Sequence, residues 1–380
     1  MSIHDVVVVG SGSAGLSAAH LLDAAGADYV VVTDKLGGRI DYSPDEKVNF
    51  GAYFVMANYH HARDLVVRET RINPLSARFH DGRGGSFPTL SADTARLAPG
   101  LVRFAVLMGR FIRHYARFKR DCEVMSQREA MERDPWIGEL FVQPASQLIA
   151  KHRLGAVAEA LVSKFSYACT GVDLDRITAL DFLNVSQGLV VPIHRFRFDE
   201  AAERARLGEH LVQDSVVELG TVDGVHEVTC ASGATLRARN IILATPAVVT
   251  AALLGLGEVR DTCELYVEHV AGTPRPAFAD KEMNLFPFSS PVIFTAVQDD
   301  GSYLVYSREP EIDLDALFTR HRVIGRRGWT KAMYVSGRAY VEQQYGDSTY
   351  VAGDHNGLGL EPTAISGVYA ARQVLKKLPR

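Results

Sequence analysis

A chain of 380 residues with 47% hydrophobic and 23% charged residues is long enough for two or three domains and has an ordinary globular composition. That excludes disordered, collagenous and low-complexity readings. Lys plus Arg number 41 against 45 Asp plus Glu, and the net charge of −4 makes no electrostatic case for nucleic acid.

The four cysteines, at 122, 169, 230 and 263, form no C-x-x-C pair, which argues against a thiolate zinc site or a disulfide framework. No apolar run reaches about 18 residues, so no transmembrane helix is expected. The apolar run at 6–9 begins at once, without a cationic leader, and a cytoplasmic location is the expectation.

Four consecutive valines before Gly10 read as a strand buried on both faces. Leu16, Ala19, Leu22 and Ala25 follow at helical spacing, Gly26 supplies a stop, and Tyr29–Thr33 is a second β-branched run. At the first strand-to-helix turn stand Gly10, Gly12 and Gly15. In a G-x-G-x-x-G turn the first glycine allows the tight bend, the second lets a pyrophosphate approach, and the third lets helix and strand pack closely. The free N–H groups of the helix then face the phosphates. Asp34 ends the second strand, where a carboxylate accepts from ribose hydroxyls and repels a 2′-phosphate. This is a dinucleotide-binding unit.

After Asp34 comes Lys35-Leu36-Gly37-Gly38-Arg39. Here the chain resembles the flavin amine oxidase, phytoene desaturase and protoporphyrinogen oxidase superfamily, whose second strand ends in an acid followed by a Gly-Gly-Arg turn. The resemblance implies FAD, with Gly37 and Gly38 passing close to the flavin and its diphosphate and Arg39 supporting them. It continues in pieces. Val48-Asn49-Phe50-Gly51-Ala52-Tyr53-Phe54 looks like the superfamily's second flavin-side turn, with a helix expected at 60–68. Residues 212–219 resemble the strand that sets a valine against the adenine, here Val216. Ala244, in Leu243-Ala244-Thr245-Pro246, matches the turn re-entering the cofactor domain, and 222–236 read as a small antiparallel meander. Gly353 and Asp354 end a third matching strand. A helix is expected from Ala364, its N-terminus aimed at the flavin C2 carbonyl, where helix-end charge favours negative charge on the ring. No cysteine follows 263, so FAD is expected to be non-covalent.

The expected fold class is therefore α/β: a Rossmann-like FAD-binding domain with a parallel sheet, plus an inserted α+β substrate domain. The cofactor domain is expected to be discontinuous, over 1–75, 206–250 and 345–380, and the substrate domain to span 76–205 and 251–344. In the latter, Phe104, Met108, Phe111, Tyr115 and Phe118 mark an amphipathic helix, 288–308 read as a hairpin, and helices are expected near 145–168 and 312–321. The helix at 101–120 carries Arg103, Arg110, Arg113, Arg117, Lys119 and Arg120. Such a face lies either on solvent, the reading preferred here, or on a membrane surface as a peripheral contact.

Two departures from the superfamily pattern bear on substrate. Its amine oxidases hold a lysine after the Ala-Thr-Pro turn, and residues 248–253 hold none. They also place an aromatic in the C-terminal loop, where this chain has Gly359. Both favour a small to medium hydrophobic substrate dehydrogenated at a C–C or C–N bond, with oxygen or another electron acceptor. A redox-neutral isomerase, an atypical amine oxidase and a non-catalytic FAD binder stay open. No catalytic group stands out; His60, His61 and Lys331 are weak candidates, and no metal is expected.

Overall fold

The computed structural model describes residues 2–257, 261–335 and 340–378. Two sheets organise it. In the first, strands Leu211–Gln213, Tyr29–Thr33, Ile3–Val9, Thr235–Leu243 and Thr349–Val351 run parallel, in that order. Val6, Val8, Val31, Ile242 and Tyr350 face one side with helices Ser13–Ala24 and Leu360–Leu375. Val7, Val9, Val30, Val32, Ile241 and Leu243 face the other. Continuous apolar strands are what burial on both faces demands. The second face is covered by the expected meander, Val216–Val222, Val225–Cys230 and the first half of Thr235–Leu243, with Leu253 and Leu254 of helix Ala247–Leu254.

The second sheet has seven strands, in the order Phe318–Val335, Asp261–Pro274, Tyr303–Ser307, Val292–Val297, Met283–Leu285, Ala77–His80 and Ser86–Pro88. Long helix Ala98–Cys122 buries Phe104, Met108, Phe111, Tyr115 and Phe118, the stripe read from spacing. No described helix is long and apolar enough to cross a membrane. A three-stranded sheet pairs Ile193–Arg197 with Val55–Met56 and Val67–Ile72. A division at 75 and 205 would cut through that sheet.

Three expected helices differ. Between 60 and 68 there is one 3-10 turn, Ala62–Leu65, and then the strand Val67–Ile72, because β-branched Val66, Val67, Thr70 and Ile72 favour extended backbone. At 312–321 there is another short turn, Leu314–Ala316, capped by Asp313, before the strand from Phe318. The C-terminal helix starts at Leu360, with Gly359 as its N-cap, so Ala364 lies beyond the helix mouth, fully buried.

Candidate functional site

The glycines at the first turn are held there by different pressures. Gly10 has φ +96°, and a Cβ on it would lie 2.6 Å from the Ala244 carbonyl oxygen. A Cβ on Gly15 would sit 1.9 Å from the Gly10 oxygen, so any side chain would push the helix off the strand. Around Gly12 a Cβ would meet nothing within 4 Å. The chain is thus packed tight on either side of a gap at Gly12, where the first-turn amides of Ser13–Ala24 have no side-chain cap.

Beyond the second strand, Ser11 Oγ donates to Thr33 Oγ1 at 2.9 Å and Gly37 N–H to the Ser11 oxygen at 3.1 Å, folding the Gly-Gly-Arg turn back over the first. Gly38, at φ +57°, places its Cβ position 3.1 Å from the Gly12 Cα. Gly51 then packs on Arg39, its Cβ position 2.0 Å from the Arg39 oxygen. Asp34 is exposed beside this track. Arg39 Nη1 forms an ion pair with Asp354 Oδ2 at 2.8 Å and donates to the Ala332 oxygen at 3.0 Å. Burial works to raise the Asp354 pKa, but the Arg39 charge and hydrogen bond prevail and hold the carboxyl below its ordinary value. Its Oδ1 is buried and accepts no hydrogen bond among the described residues. Gly353, at φ +145°, donates to Ser366 Oγ at 2.8 Å. The C-terminal helix approaches the first helix so closely that a Cβ on Gly367 would lie 2.0 Å from the Ala14 oxygen.

Of the residues expected to hold cofactor, Gly10, Gly12, Gly15, Gly37, Gly38, Arg39, Gly51, Ala244, Gly353 and Asp354 come together in this chain of contacts. Val216 is half-buried at the start of the meander, against the Val7–Val30 side of the sheet. Ala364 does not stand at the helix end; Leu360 and Glu361 do. The gap at Gly12, the unpartnered Asp354 oxygen and the uncapped amides fit a dinucleotide carrying a diphosphate.

Of the catalytic candidates, His60 and His61 reach the C-terminal helix through Glu361 and Glu123. His61 Nε2 lies 3.1 Å from Glu123, which also pairs with Arg372. His60 is exposed and contributes its backbone N–H, which donates to Glu361 Oε1 at 2.8 Å. Lys331 is exposed next to buried Ala332. Burial pushes the Cys169 thiol up to about 12 and raises Cys263 and Cys122 as well, so these are packing residues. Among the described residues no three His, Cys, Asp or Glu side chains gather as a metal would require.

What spacing did not single out is a polar junction behind the C-terminal loop. Glu361, 1% exposed, accepts from the His60 and Ala62 amides. Lys119 donates to the Asn58 oxygen at 3.1 Å and lies 3.9 Å from Glu361. It is therefore an inward residue, not part of the outer basic face. Its phase, four residues after Tyr115, was the available signal. From helix Ala179–Ser186, Asp181 accepts the Leu358 N–H at 2.9 Å and Asn184 donates to the Leu358 oxygen at 2.8 Å. Gly359, at φ +107°, has the Tyr59 hydroxyl and the Asn184 amide each 3.8 Å from its Cβ position. On the far side of the Gly51 turn, Tyr53 packs on Phe294 at 5.6 Å and Phe54 on Phe165 at 6.1 Å.

Comparison with known proteins agrees with this geometry. Residues 8–68 match the family described as NAD(P)-binding Rossmann-like domain. Among solved structures, putrescine oxidase with bound putrescine superposes with a TM-score of 0.68 at 14% identity, covering 99% of both chains. Cyclohexylamine oxidase from Brevibacterium oxydans IH-35A gives 0.69 at 13% identity, covering 99% of this chain and 98% of that one. A protein assigned as a protoporphyrinogen oxidase, from Exiguobacterium sp. 255-15, gives 0.64 at 14% identity, covering 99% and 100%. No curated protein matches the sequence. The chain shares the fold of these oxidase structures over 99% of its length.

Proposed function

We propose that this protein is an FAD-dependent oxidoreductase that removes hydride from a C–C or C–N bond of a small to medium hydrophobic metabolite. The observation that carries the reading is the continuous track from the Gly12 gap through Gly38, Arg39 and Gly51 to Asp354, each contact set by backbone too close for a side chain or by a buried ion pair. The first-turn amides of Ser13–Ala24 would hold the diphosphate without a covalent link, Asp34 a ribose, and Asp354 with Arg39 the stretch between diphosphate and ring. FAD supplies the two-electron acceptor when bound. The protein's part is to orient the substrate bond, exclude water between the two sheets, and present the Leu360 and Glu361 amides where negative charge is favoured. The aromatic pair Phe54 and Phe165, 6.1 Å apart, supports an apolar substrate.

A second reading, amine oxidation, is favoured by the amine oxidases among the structural neighbours. Against it stand the missing lysine at 248–253 and Gly359, which leaves a hydroxyl and an amide where that superfamily's oxidases present a ring. Anaerobic rapid mixing with a substrate that turns over is the test. Bleaching of the oxidised flavin, reversed by oxygen or another acceptor, is expected; full conversion with no net flavin reduction and no acceptor establishes an isomerase instead. The exposed face of Ala98–Cys122, with Arg103, Arg113 and Arg117, is read as solvent-facing, and cosedimentation with anionic phospholipid vesicles checks that reading.

A further inference from the structure

The edge of the seven-stranded sheet that bears Ala332 touches Arg39; the opposite end does not. Strand Ala77–His80 lies five strand spacings from Phe318–Val335, roughly 24 Å at about 4.8 Å each. Beside it is a cleft of about 340 Å³, walled by His80, Phe278 and Phe286, with Ser289 at its rim and the glycine-rich turn after His80 forming its mouth. Asp81 Oδ1 accepts the Arg83 and Gly85 amides at 2.7 and 2.9 Å, which fixes that turn. Gly82 and Gly84 take φ of +76° and +92°, so the mouth carries no side chains there.

The walls are aromatic and ordered. The His80 ring stacks on Phe286 with centroids 4.6 Å apart and planes 11° apart, and Phe278 lies 5.2 Å from His80. The proton on His80 can be located from its neighbours. Asn284 Nδ2 donates to the Phe278 oxygen and to Thr295 Oγ1, both at 3.2 Å, so its Oδ1 is the atom turned to His80 Nε2 at 3.0 Å. An amide oxygen only accepts, hence Nε2 carries the hydrogen and Nδ1 is left as a lone pair. Burial lowers the His80 pKa and keeps the ring neutral. His80 is 8% exposed, and among the described residues nothing donates to Nδ1. Nδ1 is not among the side-chain atoms sealed from solvent, so it is open to a donor entering the cleft.

We propose that this cleft is a second binding site, separate from the cofactor track, for a planar aromatic small molecule bearing an N–H or O–H donor. Its ring lies against Phe278 and Phe286 and its donor meets His80 Nδ1. The volume is at the lower end for small-ligand sites and suits one or two fused rings. Selectivity comes from one hydrogen bond in an otherwise apolar setting, so a ring without a donor should bind about five- to tenfold more weakly.

Indole and 1-methylindole, alike in shape but differing in the donor, are the probes. Each is titrated into the holoprotein by calorimetry, with the flavin spectrum recorded in parallel and the His80 nitrogens followed by ¹⁵N NMR. Indole should bind one to one, leave the flavin band unchanged and shift the Nδ1 resonance, and 1-methylindole should bind five- to tenfold more weakly. His80→Phe keeps an aromatic wall and should bring indole down to the 1-methylindole level. Ser289→Trp, at an exposed rim position, should close the cleft to both probes and stands as the test if His80→Phe does not fold. Equal affinity for the two probes, absence of saturable binding, or indole binding that survives Ser289→Trp and perturbs the flavin band overturns the proposal. None of these outcomes depends on what the flavin oxidises.

Discussion

Gly12 and Gly15 sit three positions apart and make opposite demands. A side chain at Gly15 would collide with the Gly10 backbone, whereas one at Gly12 would enter open space. Gly12→Val should therefore fold and lose FAD, since its branched side chain fills the diphosphate's approach. The purified variant should be colourless, with a melting temperature near that of the cofactor-free wild type; a yellow variant would place the phosphates elsewhere. Asp34 is exposed, and Asp34→Ala should leave the fold intact while removing hydrogen bonds worth about 1.5–3 kcal/mol to a charged acceptor. The FAD dissociation constant should rise roughly ten- to a hundredfold. Asp354 supplies a pH signature. Its carboxyl is held below the ordinary value in the fold, so its contribution is fully present above the unfolded pKa of about 3.9 and is lost as pH falls through the lower folded value. Asp354→Asn should be less stable than wild type at pH 7, and the gap should close below about pH 4. A gap independent of pH in denaturant titrations would reject the Arg39 pairing as its cause.

At the scale of elements, the strands and the first helix were legible because their burial pattern is written in consecutive residues. The ends of helices were not. Pro362 reads as loop punctuation, yet a proline in the first turn lacks an N–H that would have had no partner, and the helix begins before it at Leu360. The turn at 60–65 takes the cap of its first amides from far along the chain: Glu361 accepts the His60 and Ala62 amides, some 300 residues away. No local window contains that information. The same holds for Lys119, whose inward role depends on Glu361 and on the Asn58 carbonyl. Glu361→Ala should leave two backbone donors without partners and Lys119 with Glu123 alone as its counter-charge. A loss of about 2–4 kcal/mol is expected in chemical denaturation. Glu361→Gln retains an acceptor and should recover part of it, which a purely steric role for the side chain would not produce.

For the whole molecule, the Rossmann-like half was readable from motifs, while the half built on the seven-stranded sheet was not, because its arrangement depends on which distant segments meet. Gly359 shows why. In sequence it is only a missing aromatic; in the fold it is an N-cap at φ +107°, with Asp181 and Asn184 gripping Leu358 just before it. A side chain at that backbone angle is strained by roughly 1–3 kcal/mol, and the two anchors resist the shift that would relieve it. The loop is thus built around the glycine, with the Tyr59 hydroxyl and Asn184 amide on its Cβ side. Under the proposed function, a substrate reaching this loop would meet a hydroxyl and an amide and no ring face to hold an amine. Primary amines should consequently bleach the flavin slowly under anaerobic conditions, and Gly359→Trp should lower stability without raising that rate. Tyr59→Phe should instead weaken the response to whichever hydrophobic substrate carries an acceptor, raising KM more than it lowers kcat. Fast anaerobic bleaching by putrescine or cyclohexylamine, or its gain in Gly359→Trp, would show that this loop does not select against amines and would return the protein to the amine oxidase reading.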